Sequence, residues 1–253
     1  MIHYHGISGA GGANQVVPFV KGRHCFVSFA MPRALPMIAS ICSSFALDNG
    51  AFTAWKNGVP FEWDGLIEFV KDWMSHPAFD FVVIPDVIDG SEKENDELIE
   101  RWDFPDFMSV PVFHFHESLS RLESLIERFS YIAFGSSGDF ATPNSKEWWV
   151  RMNEIMEVAT DKEGKARARF HGLRMLDPRI FSRIPLRSAD STNAERNGLF
   201  VERFGIYPSP TRGQRSVVIA DRVESHQSSA GWYDEEKSTD IFTPSFCQEE
   251  FTF

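Results

Sequence analysis

The sequence predicts an α/β fold, a (β/α)8 TIM barrel with an irregular C-terminal extension. Three observations support this prediction. Eight short apolar segments have strand character, helical or polar segments separate them, and 253 residues is an ordinary length for one barrel. Strands that alternate with helices pair in parallel, and eight such units fit a closed barrel better than an open sheet. We place the barrel at residues 1–204 and an extension packed on it at 205–253.

The predicted elements follow one another at regular intervals. The eight strands are placed at residues 2–7, 25–30, 45–48, 79–86, 110–116, 131–135, 169–173 and 186–190. A helix is predicted at 62–75, where Leu66, Phe69, Val70 and Trp73 recur with helical spacing. Further helices are predicted after 89–91, at 118–129 and at 144–160, and a glycine-rich loop at 8–14 follows the first strand. The segment from Gly205 has an irregular composition, and we expect it to pack partly through 217–220 and Trp232-Tyr233.

Composition indicates a globular protein of a reducing compartment. Hydrophobic residues make up 43% of the chain, with 24 Phe, and no apolar run is long enough for a transmembrane helix. The first residues lack the basic start and apolar region of a signal peptide. The three cysteines, Cys25, Cys42 and Cys247, are too scattered for a disulfide framework or a zinc cluster. We therefore expect a cytoplasmic protein with no membrane partner.

Charge is distributed unevenly along the chain. The net charge is −11, which argues against indiscriminate binding of nucleic acid. Residues 162–222 nevertheless hold 13 of the 25 basic residues and only six acidic ones, so this segment carries +7. A basic face on an acidic protein could bind a phosphate backbone, although a solvated surface with ion pairs explains the same pattern.

Chemically active residues stand at the ends of the predicted strands. These residues are Asp48, Asp86, His116, Gly135, His171 and Asp190. Taken singly, each aspartate could be a helix cap and each histidine a satisfied polar residue near the core. Because the carboxyl ends of barrel strands form one mouth, the six together predict an active site there.

Several of these segments resemble the tRNA-guanine transglycosylase family. Leu47-Asp-Asn-Gly-Ala-Phe-Thr53 is similar to that family's Asp-Ser-Gly-Gly-Phe-Gln signature, and Phe79–Asp86 to its second aspartate strand. Residues 131–137 are similar to its glycine-pair strand, and 169–172 stand where the family has a Met-Gly pair. Ser188-Ala-Asp-Ser-Thr-Asn193 resembles the nucleophile strand of the short phage and mobile-element relatives, which insert 7-deazaguanine bases into DNA. The family's cysteine-rich zinc subdomain has no counterpart after Asp190, which favours the short branch.

The resemblance implies a base exchange that replaces guanine in DNA, or in RNA, with a free 7-deazaguanine derivative. Asp190 would be the nucleophile, Asp48 the general acid and base, and Asp86 the acceptor for the N–H edge of guanine. Phe52 and His171 would sandwich the base, and Gly135 would let the backbone approach it. The other substrate-binding residues implied are Asn49, Gly50, His116, Ser136 and Gly172, and the basic segment suggests Arg187, Arg212 and Arg215 as contacts to nucleic acid. This chemistry needs no metal and no other cofactor, and the oligomeric state stays open.

Two alternatives compete with this interpretation. The first is a metal-dependent hydrolase similar to the amidohydrolases, in which His3, His5, His114, His116, His171 and Asp190 supply the ligands. Against it, the position of a bridging lysine on the fourth strand is unfilled and the sixth strand carries no histidine. The second is a catalytically silent relative that binds nucleic acid.

Overall fold

A computed structural model describes residues 1–7 and 12–232, and within them every strand belongs to one parallel sheet. The strands are β1 (Ile2–Gly6), β2 (His24–Ser28), β3 (Ser44–Asp48), β4 (Phe79–Val83), β5 (Ser109–Val110), β6 (Val112–His114), β7 (Tyr131–Gly135), β8 (Arg169–Gly172) and β9 (Ser188–Ser191). Each overlaps one of the eight segments predicted to be strands, and β2, β3, β5 and β9 extend one residue beyond theirs. The glycine-rich loop at 8–14 falls mostly outside the described residues.

The sheet curves into a barrel. The strands follow the order β5-β4-β3-β2-β1-β9-β8-β7-β6, so the chain adds neighbours in both directions from β1. The two ends of this order, β5 and β6, are consecutive in sequence and separated only by Pro111. A proline has no N–H to give to a ladder, which explains why the strand is divided there. Eight strand positions therefore surround the axis, and the predicted TIM-barrel architecture is confirmed.

Helices surround the sheet. They are α1 (Ala13–Val20), α2 (Leu35–Ala39), α3 (Ala51–Asn57), α4 (Trp63–Trp73), α5 (Glu92–Arg101), α6 (Leu119–Arg128), α7 (Lys146–Ala159), α8 (Pro178–Phe181), α9 (Asn193–Asn197) and α10 (Arg212–Glu224). The helices predicted at 62–75, after 91, at 118–129 and at 144–160 are confirmed. Ser91, Ser118 and Ser145 cap α5, α6 and α7 by accepting backbone N–H bonds, which accounts for where these helices begin.

The apolar core has two layers. The larger lies between sheet and helices and includes Phe45, Phe134 and Trp148, all fully buried. The smaller fills the barrel interior and is built around Tyr4, Phe26, Phe81, Tyr131 and the small side chains beside them. A filled interior gives the site a rigid floor.

The C-terminal segment is more regular than its composition predicts. Helix α10 packs against α1 and α9 and buries Ile219, Ala220 and Val223, so the prediction of an irregular extension is wrong for these thirteen residues. The expected packing by 217–220 is confirmed, and Trp232 donates its backbone N–H to the carbonyl of Gly164 at 2.7 Å. Tyr233 lies outside the described residues. Across the described part of the chain, no helix combines the length and apolar character needed to span a membrane.

Candidate active site

Three aspartates occupy the carboxyl end of the barrel. Asp48 is the last residue of β3, Asp190 lies in β9, and Asp86 follows β4 by three residues. Asp48 is half-buried, and burial is the main reason why its pKa rises to about 6. The charges of Asp190 and Asp86 raise this pKa further, while hydrogen bonds from Ser28 and the amide of Gly50 act in the opposite direction. The predicted convergence of the three carboxylates is thus visible in their mutual electrostatics.

Asp190 is held by a backbone amide. Its side chain is largely buried, with 6% exposed, and Oδ1 accepts the N–H of Arg174 at 2.9 Å. Arg174 has a φ of 58°, a left-handed conformation that is uncommon for a residue other than glycine. Such strain is characteristic of functional sites, because the surrounding fold must maintain it. Here it aims an N–H at a carboxylate in the barrel mouth.

A column of polar side chains runs beneath Asp190 into the barrel. Nε2 of His171 lies 3.4 Å from Oδ1 of Asp190, and Nδ1 of His171 lies 2.6 Å from Oγ of Ser188. The hydroxyl of Tyr131 lies 2.5 Å from the same Oγ. Burial is the main cause that raises the pKa of Tyr131 to about 12, so this phenol keeps its proton and can donate it. Donation from Tyr131 to Ser188 and from Ser188 to His171 leaves the proton of His171 on Nε2, the nitrogen on the side of Asp190.

Asp86 is fixed by two neighbours. Nδ2 of Asn49 donates to Oδ1 of Asp86 at 2.8 Å and to the carbonyl of Ile84 at 2.8 Å. Nε2 of His114 lies 2.9 Å from Oδ2 of the same carboxylate. Each carboxylate oxygen keeps a lone pair for a further donor, so Asp86 is oriented without being saturated. Asn49 was predicted to contact a ligand, and the structure shows that its side-chain amide instead donates to Asp86.

Neighbouring carboxylates stabilise the charged form of the His114 imidazole. Burial by itself lowers the pKa of His114, but the hydrogen bond and charge of Asp86, with the charge of Glu117, outweigh it and raise the pKa. Gly135 explains how the ring fits, because a Cβ at this position would lie 3.0 Å from Nδ1 of His114. The absence of a side chain at Gly135 thus makes room for His114.

The Asn49-Gly50 turn positions the residues around Asp48. Gly50 has a φ of 79° and caps helix α3, and a Cβ there would lie 3.0 Å from the amide of Ala30. Phe52, in the first turn of α3, is 36% exposed. The guanidinium carbon of Arg174 lies 4.6 Å from its ring centroid, so a cation already covers part of the predicted stacking surface.

His116 ties together two loops at the mouth. Its Nδ1 lies 2.7 Å from Oγ of Ser137, its Nε2 lies 3.1 Å from the carbonyl oxygen of Gly90, and its ring stacks on His114. Both ring nitrogens therefore have partners within the protein. His116 is exposed, but because both nitrogens are engaged it connects the two loops and has no free ring nitrogen to bind a substrate.

Three predicted substrate contacts do not face the mouth. His171 is fully buried among the rings of Tyr4, Phe26 and Phe81, so it cannot sandwich a base with Phe52. A Cβ on Gly172 would meet Met175 and Leu186, on the helix side of the sheet. Oγ of Ser136 accepts the indole N–H of Trp148 at 2.9 Å, which points it toward α7. The prediction of a direct side-chain contact is wrong for His171 and Ser136, whereas for Gly172, which could use only its backbone, it stays a prediction.

The arginines predicted to contact nucleic acid do not lie where that role requires. Arg212 and Arg215 are each only 8% exposed and donate to backbone carbonyls, those of Glu195 and Gly198 respectively. Their prediction as phosphate contacts is wrong because they tie α10 to the segment after β9. Arg187 is exposed, but it precedes β9 and so lies at the end of the barrel opposite the aspartates.

The histidines of the first strand do not point into the mouth, where the alternative metal site would need them. Successive side chains of a strand point to opposite faces, and Tyr4 of β1 points into the barrel. His3 and His5 accordingly point outward, where their Nε2 atoms contact the carbonyl of His226 at 3.0 Å and the carboxylate of Glu224 at 2.7 Å. Among residues 1–7 and 12–232, no three His, Cys, Asp or Glu side chains are arranged to hold a metal ion.

Sequence reasoning missed the part that Arg174 plays. It follows the Gly-Leu pair at the end of β8, and a charged residue directly after a strand that ends in the mouth was the available signal. Its left-handed backbone could not be predicted, because nothing about an arginine favours that conformation.

Comparison with known proteins gives no further identification. This chain matches no protein-family model, no curated protein and no solved structure.

Proposed function

We propose that this protein is a base-exchange transglycosylase that replaces guanine in nucleic acid, with DNA the first candidate, by a 7-deazaguanine derivative. One observation carries the proposal. Asp190, Asp48 and Asp86 meet at the carboxyl end of a TIM barrel, and the pKa of Asp48 there is raised to about 6. A nucleophile, an acid–base group suited to near-neutral pH and a recognition carboxylate are the three parts that such an exchange needs.

The first half of the reaction releases guanine. A carboxylate oxygen of Asp190 bonds to C1′ of the sugar while the bond from C1′ to N9 breaks and its electron pair passes to N9. Protonated Asp48 gives its proton to the departing base, so neutral guanine leaves and a glycosyl ester remains on Asp190. The Arg174 amide and the His171 ring hold the attacking carboxylate in place.

The second half repeats these steps in reverse. The incoming 7-deazaguanine base gives its ring N–H proton to Asp48, and its nitrogen attacks C1′ as the ester bond breaks. Asp190 is then free and Asp48 is protonated again, as at the start. All groups in this cycle are carboxylates of the chain, so we expect exchange to persist in the presence of a chelator.

Recognition of the base is assigned to Asp86. Guanine presents neighbouring N–H donors, and a carboxylate supplies the matching acceptors. Asn49 and His114 hold Asp86 in one orientation, which reduces the ordering required when the base binds. A base within a duplex could not reach the mouth of a filled barrel, so it would flip out, at a cost of a few kcal/mol.

The proposal is tested by exchange of labelled guanine into an oligonucleotide and by trapping of the covalent adduct. The wild type should incorporate label and form an adduct that survives denaturation, whereas Asp190→Asn should do neither while keeping its fold. Asp72→Asn is the matched control, because Asp72 is an exposed aspartate on α4. Wild-type exchange rates in Asp190→Asn would refute the nucleophile. Tight binding without exchange or adduct in the wild type would instead identify the silent relative.

A further inference from the structure

A basic groove lies against the segment that follows Asp190 in the chain. Its volume is about 680 Å³, and its walls come from α8, α9 and the helical turn Val201–Phe204. Ser191, Thr192 and Asn193, which directly follow Asp190 in the chain, also line it. The groove therefore adjoins the end of the strand that carries Asp190.

Arginine side chains dominate the charge of the groove. Arg174, Arg196 and Arg203 line it, and none of them has a carboxylate partner among the described residues. Arg179 also lines it but is paired with Asp177 at 2.6 Å. The groove is therefore locally positive although the chain as a whole has a net charge of −11. This arrangement suits a polyanion, since guanidinium groups bind phosphate oxygens with two parallel hydrogen bonds.

Apolar side chains stand beside these charges. Phe200 lines the groove and is 42% exposed, and the guanidinium of Arg203 lies 4.8 Å from its ring centroid. Leu199 beside it is 52% exposed, and Tyr207, a few residues on, is 94% exposed. Exposed aromatic rings interleaved with arginines are the pattern by which proteins bind single-stranded nucleic acid, through stacking and charge together.

Arg174 connects the groove with the chemistry. Its backbone N–H holds Asp190, while its side chain lines the groove and covers Phe52. A phosphate bound by this guanidinium would therefore lie next to the sugar that Asp190 attacks.

We propose that this groove binds the phosphodiester backbone that flanks the nucleotide entering the barrel, with Arg196 and Arg203 as the principal contacts. The inference rests on the proposed function, because it takes nucleic acid as the substrate. It moves the principal phosphate contacts from Arg212 and Arg215, which are buried, to Arg196 and Arg203, which are exposed. Phosphates position a nucleic acid without reading its sequence, so this contact should be independent of base identity.

The test is fluorescence anisotropy of a labelled 15-nucleotide single-stranded DNA with full-length protein over a range of salt concentrations. Arg196→Gln/Arg203→Gln should raise Kd about tenfold or more at low salt and reduce the slope of log K against log salt by about 1.4, since each phosphate contact on a single strand contributes about 0.7. Arg187→Gln is the matched control: it removes an exposed arginine at the opposite end of the barrel and should leave Kd and slope unchanged. An RNA of the same sequence shows which backbone is preferred, and an uncharged methylphosphonate DNA should bind weakly to every variant.

The outcomes separate this inference from the proposed function. Equal Kd and equal salt slope for the double variant and the wild type would overturn the groove, whether or not the wild type exchanges guanine. A loss of binding in the double variant but not in Arg187→Gln supports the groove even if no exchange is detected. Binding of the methylphosphonate DNA as tight as that of natural DNA would also overturn it.

Discussion

Nε2 of His171 faces Oδ1 of Asp190 at 3.4 Å, inside a barrel where this ring is completely buried. This nitrogen makes no hydrogen bond of good geometry among the described residues, and Asp190 is the carboxylate within ion-pair distance of it. The opposite nitrogen is fixed by Ser188 at 2.6 Å. His171 is therefore a positioning residue for the proposed nucleophile, acting from below the site, and it does not touch the base.

The first prediction separates this role from packing. His171→Phe keeps an aromatic ring among Tyr4, Phe26 and Phe81 but cannot donate to Asp190. We expect kcat for guanine exchange to fall about tenfold or more while KM changes little, because substrate binding is not lost. His171→Gln places an amide nitrogen near the position of Nε2 and should recover part of kcat. Equal kcat in the Phe variant and the wild type would contradict the role, as would a change confined to KM.

The second prediction concerns the pH dependence of stability at Asp48. Its pKa is raised from 3.8 to about 6 by folding, so the native state resists ionisation and wild-type stability falls as pH rises between these values. Asp48→Asn cannot ionise, so at about pH 8 it should unfold with a free energy about 1–3 kcal/mol larger than that of the wild type. Near pH 3 the carboxyl is protonated in both states, and the difference should vanish. Denaturant unfolding at both pH values measures it, and a variant less stable than the wild type at about pH 8 would contradict the raised pKa.

The third prediction tests the Asp86–His114 pair. Asp86 is the main group that raises the pKa of His114 against the effect of burial, so Asp86→Asn should lower that pKa. Stability from this pair is complete at acidic pH and is lost as pH rises through the raised pKa of His114. A histidine NMR titration measures the change directly. His24 provides an internal control, because burial lowers its pKa at a site near Asp80, and its titration should stay the same.

The fourth prediction uses two glycines as a matched pair. Gly50 and Gly58 flank α3 and have similar positive φ values of 79° and 63°, but a Cβ would meet the amide of Ala30 only at Gly50. Gly58→Ala should therefore cost about 1 kcal/mol of unfolding free energy from its backbone conformation alone. Gly50→Ala should cost more and should also reduce exchange, because the turn it distorts sets Asp48 and Phe52. Equal losses from the two substitutions, measured by denaturant unfolding, would show that the close approach at Gly50 is unimportant.

The barrel could be predicted because its signals are local. Strand-like segments followed by helices determine the parallel pairing, and strand ends determine which residues gather at the mouth, as Asp48, Asp86 and Asp190 do. The direction of individual side chains depended on the register of each strand with its neighbours. His3 and His5 flank an inward Tyr4 and so point outward, which only the packed sheet reveals. The charge pattern of 162–222 likewise gave no sign that Arg212 and Arg215 would be buried by helix α10.

The interruption at Pro111 gives the barrel wall a seam. Before Pro111 the chain pairs with β4, through β5, and after Pro111 it pairs with β7, through β6. Each of these two short strands is therefore paired along one edge. The last backbone bond across this line joins the amide of Ile84 to the carbonyl of Val110 at 2.9 Å, and beyond it the Asp86–His114 ion pair closes the gap. Removing the charge of Asp86 should therefore weaken this contact across the wall. We expect amide hydrogen exchange at Ile84 to quicken in Asp86→Asn, with the amide of Phe26 in the intact part of the ladder unchanged, because the side-chain contact that spans the division in the wall is then weakened.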